Sequence, residues 1–167
     1  MRIETERLTL RRLCEDDADG LVELFNDPQV RRFIAVEHPY TRADALARIR
    51  ADAREWDELG HRILAIEERA SGRFGGRVVL YDWPQFAETE VGWTLPARTR
   101  GQGFATEAAR AAADWAFASL DVPYLISLIN PDNGASKRVA ERLGMSVLRE
   151  DELDEEPVLV YALMRSS

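Results

Sequence analysis

Leu8 and Leu10 alternate with Thr9 and Arg11, so Arg7–Leu13 reads as a strand with one apolar face. Ala18, Leu21, Val22 and Phe25 then fall at i, i+3, i+4 and i+7, which predicts a helix ended by Asp27-Pro28. Thr41 opens a longer helix as its N-cap, with Asp44 three residues on, where a carboxylate suits the helix dipole. Leu46, Ile49, Ala53 and Trp56 form its buried stripe, and Gly60 is its stop. Three strands follow. His61–Glu68 and Arg73–Tyr81 are separated by Ala70-Ser71-Gly72, and Glu88–Leu95 comes after a turn at Trp83-Pro84, so the three read as an antiparallel meander.

The second half changes period. Pro96–Gly103 is a basic loop, and Ala105–Leu120 is a strong helix. Phe104, Ala108, Ala111, Ala112 and Trp115 face inward there, with Glu107, Arg110 and Asp114 outward. Tyr124–Ile129 fits a buried strand. Asn133–Leu143 reads as a helix with Val139, Ala140 and Leu143 inward and Gly144 at its end, and Ser146–Arg149 and Val158–Met164 close the chain as strands. Hairpin strands followed by helix-joined strands give an α/β (α+β) fold: a mixed, mostly antiparallel sheet of about seven strands with helices on both faces. No repeat or flexible linker interrupts residues 1–167, so a single domain is expected.

Composition narrows the function. Lys and Arg number 22 against 30 Asp and Glu, a formal charge of −8, which disfavours a general nucleic-acid binder and suits a cationic partner. No apolar stretch reaches the roughly 18 residues a membrane span needs, and MRIETERLTLRR lacks the apolar core of a secretion signal. Cys14 is alone, which excludes an intrachain disulfide and points to the cytoplasm. With only His38 and His61 beside it, no metal site of the usual kind is expected. Cys14 is expected to pack as a small core side chain, and Trp56, Trp83, Trp93 and Trp115 to belong to the core.

Candidate chemistry concentrates at two strand-to-helix junctions. Arg98-Thr99-Arg100-Gly101-Gln102-Gly103-Phe104-Ala105 has the makings of an anion cradle. Its glycines let backbone approach a ligand, its N–H groups point from a helix N-terminus, and Arg98 and Arg100 add mobile positive charge. It is not a Walker loop, because no Gly-Lys-Ser/Thr follows, and Thr106 stands where a dinucleotide fingerprint has its third glycine. An ordinary glycine turn is the plainer alternative. Asn130-Pro131-Asp132-Asn133-Gly134-Ala135-Ser136 is the second junction, with Asn133 as N-cap and Ser136 on the first turn. Neighbouring parallel strands would bring both junctions to one sheet edge.

Together these residues resemble the GCN5-related N-acetyltransferase (GNAT) superfamily. Arg98-x-x-Gly101-x-Gly103 matches its acetyl-CoA pyrophosphate motif, Glu90-Val91-Gly92-Trp93-Thr94-Leu95 looks like its central strand, and Asn130-Pro131-x-Asn133-x-x-Ser136 with Leu143-Gly144-Met145 is similar to its later helix. Met145 departs from the usual aromatic, with packing the only expected consequence. Glu6-Arg7-Leu8-Thr9-Leu10-Arg11 with Asp27-Pro28 resembles the RimJ/RimL-like branch that acetylates ribosomal-protein N-termini.

The resemblance implies a splayed strand pair holding acetyl-CoA as co-substrate. Backbone groups of Trp93, Thr94 and Leu95 would pair with pantetheine amides, and the N–H groups from Arg100 through Gly101, Gln102, Gly103 and Phe104 to Ala105 would hold the pyrophosphate. Asn130 and Asn133 would touch the pantetheine from the other side. It also implies a Leu95 N–H as oxyanion donor and Ser136 as the group protonating the departing sulfur. Glu90 matches a frequent family glutamate. Two readings of it stay open, a base acting through water and a half-exposed strand glutamate paired with an arginine; Glu88 shares its face. Six acids within Glu150–Glu156 read either as a solvated loop or as an acidic rim drawing in a cationic amine. The acceptor is implied to be a protein N-terminal amine or a small-molecule amine such as a polyamine, amino sugar or amino-acid analogue, met by loops near Ile34–Tyr40 and Trp83–Thr89. A non-catalytic CoA-binding module and a nucleotide-binding regulator are the other classes. Aromatics at Trp83 and Phe86 leave monomer and homodimer both open.

Overall fold

The structure, a computed structural model, describes residues 1–36 and 38–165; Glu37, within the expected acceptor loop Ile34–Tyr40, lies outside the described residues, as do Ser166 and Ser167. The expected meander is present as β3 (Ile63–Glu68), β4 (Phe74–Trp83) and β5 (Glu88–Thr94), all antiparallel. On one side of it lie β2 (Leu8–Arg12) and the edge strand β1 (Arg2–Glu4). On the other lie β6 (Tyr124–Ile129), β7 (Ser146–Leu153) and β8 (Glu156–Met164). Among the described residues one sheet runs β1-β2-β3-β4-β5-β6-β8-β7, and within it only β5 and β6 pair in parallel.

Eight strands replace the expected seven or so. β1 is three residues long, too short for alternation to register. A second difference is the acidic run. Rather than a loop between two short strands, Glu150–Glu156 extends β7 and β8 into a hairpin that turns at Asp154 and Glu155, with φ of 51° and 67°. β7 is a sheet edge, where exposed charge is tolerated and discourages further strand pairing.

Helices α1 (Ala18–Asn26), α2 (Pro28–Arg31) and α3 (Arg42–Leu59) precede the meander, and α4 (Phe104–Ser119) and α5 (Gly134–Leu143) follow it. α2 continues past the expected stop because the Asp27 side chain accepts the Gln29 N–H and Pro28 fits a first helical turn. Thr41 and Asp44 cap α3 reciprocally, and Gly60 closes it in the left-handed region. None of the described helices is long and apolar enough to cross a membrane.

Alternation along the strands splits the core in two. Leu8, Leu10, Val78, Leu80 and Val91 meet the alanine face of α4 and Ala140 and Leu143 of α5. Ala65, Phe74 and the partly buried Val79 meet Leu21, Leu24 and Phe25 of α1 and Ala45 and Ile49 of α3. Trp56 reaches the first cluster, beside Trp115, and Trp93 packs against it, whereas Trp83 belongs to neither. Cys14 is exposed rather than packed in the core, because it heads a short turn in which its N–H is taken by Asp17. Glu107 does not face solvent as its helical phase suggests: it accepts hydrogen bonds from Thr5 and from the backbone and side chain of Arg7, tying the N-terminal segment to α4.

Asp52 sits within α3, 1% exposed, and accepts the Ile63 N–H at 3.1 Å. Burial pushes its carboxyl up to about 6, so the fold prefers the protonated form. Its stabilising contribution is intact below the unfolded value near 4 and is lost as pH rises through about 6. Asp52→Asn keeps the acceptor and removes the charge. It is expected to raise stability by about 1–3 kcal/mol at pH 8 and by much less at pH 4, read as thermal midpoints; equal shifts at both pH values would contradict this.

Candidate active site

The parallel pair β5–β6 has a single paired position, Glu90 opposite Ile126. Beyond it, side chains take over from the backbone ladder. Ser127 Oγ donates to the Val91 carbonyl, and Leu128 N–H donates to Glu90 Oε1 at 3.3 Å. The other Glu90 oxygen accepts from Trp83 Nε1 at 2.7 Å. With main-chain pairing ended, the two strands part, and a cavity of about 390 Å³ opens along Trp93, Thr94 and Leu95. α5 supplies Asn133 and Ser136 to its far wall, and α2 and the turn after it supply Val30, Phe33 and Ile34.

The glycine loop crosses one end of this cavity. Gly101 and Gly103 have φ of 75° and 82°, the left-handed region that disfavours any side chain. Among the described residues, the N–H groups of Gly101 through Thr106 have no partner in the turn and cap bonds, the first being Glu107 N–H to the Gly103 carbonyl. The Leu95 N–H likewise has no acceptor. These free donors at the start of α4 form an anion cradle from backbone alone. At the second junction the Asn133 side chain caps α5 by accepting Ser136 N–H at 3.1 Å, which leaves the Ser136 hydroxyl on the cavity wall.

The residue pattern of the loop, the parted strands and the two helix starts at one sheet edge agree with what comparison with known proteins finds. The acetyltransferase (GNAT) domain model matches residues 7–146. The chain belongs to the GNAT acetyltransferase family. It is 31% identical to Bacillus subtilis YkkB, itself uncharacterized, over 96% of this chain and 94% of that one. An acetyltransferase structure from Agrobacterium tumefaciens is 34% identical, with a TM-score of 0.82 over 99% and 95% of the two chains. RimL, a ribosomal L7/L12 alpha-N-protein acetyltransferase solved with coenzyme A, shares the fold at a TM-score of 0.83 and 17% identity, over 98% of both chains.

Within this GNAT domain, Trp93, Thr94, Leu95, Arg100, Gly101, Gly103, Phe104, Ala105, Asn133 and Ser136 all border the cavity. Arg98, Gln102, Asn130 and Glu90 are not on its wall. Arg98 donates to the Phe74 carbonyl at 2.6 Å and pairs with Glu23, Gln102 bonds back to the Arg98 carbonyl, and Asn130 Oδ1 accepts from Asp132 N–H within its own turn. Arg100 reaches Asp27, Gln29 and the Leu95 carbonyl. The mobile positive charge expected of Arg98 and Arg100 is therefore corrected: both guanidiniums are held by acids and carbonyls and brace the loop.

The two strand carboxylates differ. Arg149 grips Glu88 with two bonds, at 2.9 and 2.6 Å, and Tyr124 adds a third, which holds the Glu88 carboxyl below its usual range. Burial pushes Glu90 up, against the pull of Trp83, Leu128 and the charge of Arg77. The arginine-paired carboxylate is thus Glu88, and Glu90 is the one whose carboxyl is pushed up.

Three groups on the wall were not anticipated. Arg138 and Arg142 reach the cavity from α5 and form no ion pair among the described residues, and Thr106 Oγ1 is buried without a partner. The i, i+4 spacing of the two arginines on the helix begun by Asn133 was the available signal. Arg100→Met is expected to strand the Asp27 carboxylate, 11% exposed, and to lower stability by about 1–3 kcal/mol. Denaturant titration checks this, and an unchanged midpoint would show that the brace carries no load.

Proposed function

We propose that this GNAT domain, residues 1–167 acting as one unit, transfers the acetyl group of acetyl-CoA to the α-amine of a protein N-terminus, as a cytosolic monomer or homodimer. The observation that carries the reading is the meeting of free backbone donors with the parted strands: the amides of Gly101–Thr106 suit a pyrophosphate, and the exposed edge of Trp93–Leu95 suits a pantetheine that pairs like an added strand. Arg138 and Arg142 add the charge that Arg98 and Arg100 do not supply. The fold shared with RimL supports a peptide amine as acceptor. A second reading, a small-molecule amine, is favoured by Arg77, opposite Thr94, whose Nε is sealed from solvent without a hydrogen-bond partner.

Acetyl-CoA supplies a thioester carbonyl at which an amine displaces the thiolate. Three groups of this chain meet the demands of that exchange. Leu95 N–H lies free to receive the negative charge that develops on the carbonyl oxygen. Ser136, on the first turn of α5 where the helix dipole favours a negative oxygen, passes a proton to the leaving sulfur and takes its replacement from solvent water. Glu90, made more basic by burial, accepts the amine proton through water, since it is set back from the cavity wall.

Thiol release from acetyl-CoA, screened over N-terminal peptides and small amines, tests the reading; stabilisation by acetyl-CoA with no turnover on any amine would overturn it. Ser136→Ala is expected to lower kcat by about 10- to 100-fold with acetyl-CoA affinity nearly unchanged, and an unaltered rate would remove Ser136 from the chemistry. The wild-type kcat/KM should rise with pH along a limb lying above the ordinary carboxylate range, as Glu90 ionises. Glu90→Gln should lose that limb. The same limb in the variant would assign the base elsewhere.

A further inference from the structure

Arg77 of β4 stands directly opposite Thr94 of β5, and Thr94 is on the cavity wall. Opposed residues of an antiparallel pair share a face. Arg77 therefore projects on the side of Val79, which packs against the α1–α3 core and not against α4. Its guanidinium lies 4.8 Å from the centre of the Phe25 ring, and Phe25 in turn packs on Tyr40 at 4.7 Å. Arg77 Nε is sealed from solvent and has no hydrogen-bond partner.

Among the described residues, no carboxylate forms an ion pair with Arg77, although most other arginines have one. Arg48 of α3, whose charge acts on Arg77, also has a sealed and unpartnered Nε, its Nη2 being engaged by Glu55 at 2.6 Å. Burial and the charge of Arg48 bring Arg77 down to about 10, while Tyr40, Glu90 and Asp52 act in the opposite sense, so it remains cationic at neutral pH. A cation whose Nε is sealed without an acceptor, and which has no carboxylate partner among the described residues, is left electrostatically uncompensated. Stacking on Phe25 engages the face of the guanidinium but gives Nε no acceptor, and an anion carried by a ligand would complete it.

We propose that Arg77 is a specificity-determining residue whose guanidinium binds an anionic group, carboxylate or phosphoryl, carried by the amine acceptor. The inference rests on the acetyltransferase reading above and narrows its substrate class. Leu95 N–H marks the carbonyl under attack, so the amine lies beside Thr94, and Arg77 is directly across the strand from it. Amine and anion are therefore only a few bonds apart in the substrate. Free amino acids, aminoalkylphosphonates and peptides with an acidic second residue all carry that chemistry.

The test is thiol release from acetyl-CoA over matched amine pairs: amino acids against their carboxamides, aminoalkylphosphonates against uncharged alkylamines of equal length, and peptides with Asp against Asn in second position. Wild-type protein is expected to favour the anionic member of at least one pair by about 100-fold in kcat/KM, and which pair shows it distinguishes the three sources. Arg77→Gln should abolish the preference, while Arg77→Lys should restore part of it, because an ammonium keeps the charge without the forked geometry. Thermal stabilisation of both variants by acetyl-CoA confirms an intact fold and donor site. Equal use of both members of every pair, or a preference that survives Arg77→Gln, would overturn the proposal. If no amine is turned over, the same pairs are titrated onto CoA-saturated protein. Stabilisation by the anionic members that Arg77→Gln removes would keep the subsite and overturn catalysis, and its absence would overturn the subsite.

Discussion

The interaction on which the molecule depends is the replacement of main-chain pairing by side chains where β5 and β6 separate. An eight-stranded sheet loses backbone hydrogen bonds at such a place, and buried peptide groups left without partners are unfavourable. Glu90 and Ser127 answer that need at the point of parting, one accepting from Leu128 and the other donating to Val91. The groups they leave open, further along at Trp93–Leu95, face the cavity. β5–β6 is also the one parallel pair among the described residues, so helices α4 and α5 both start at the same end of the sheet. Topology thus delivers two helix N-termini, and two residues decide where the gap between them begins.

The electrostatics follow a division of labour. In a chain of formal charge −8, the anion cradle is built from amide dipoles, and the adjacent arginines are spent on holding its shape. Cations without an ion pair among the described residues lie elsewhere, Arg138 and Arg142 on the cavity wall and Arg77 against Phe25 of α1. The carboxylates divide in the same way. Glu88 is neutralised by Arg149 and stitches β5 to β7, whereas Glu90 two residues on has only neutral donors and is the more basic of the two.

What the sequence made legible is what local physics determines. Thr41 and Asn133 cap their helices, Gly60 and Gly144 end them in the left-handed region, and Gly101 and Gly103 occupy positive φ, because those requirements depend on neighbours along the chain. Partners distant in sequence were not legible. Arg98 with Glu23, Arg100 with Asp27 and Glu107 with Arg7 join segments about 70 to 100 residues apart, and an isolated reading leaves each of these charges free. The acidic hairpin was hidden because charge alone reads as solvated loop, and an edge strand satisfies both descriptions. Arg77 was passed over for a related reason: a lone arginine in a strand carries no signal until its missing partner is seen.

Amide hydrogen exchange with and without acetyl-CoA tests the central claim most directly, since it reads the free backbone donors themselves. The account predicts that acetyl-CoA slows exchange at Trp93–Leu95 and at Gly101–Thr106, with far smaller changes in β1–β3 and β7. Unchanged exchange in both segments, with acetyl-CoA bound, would contradict it.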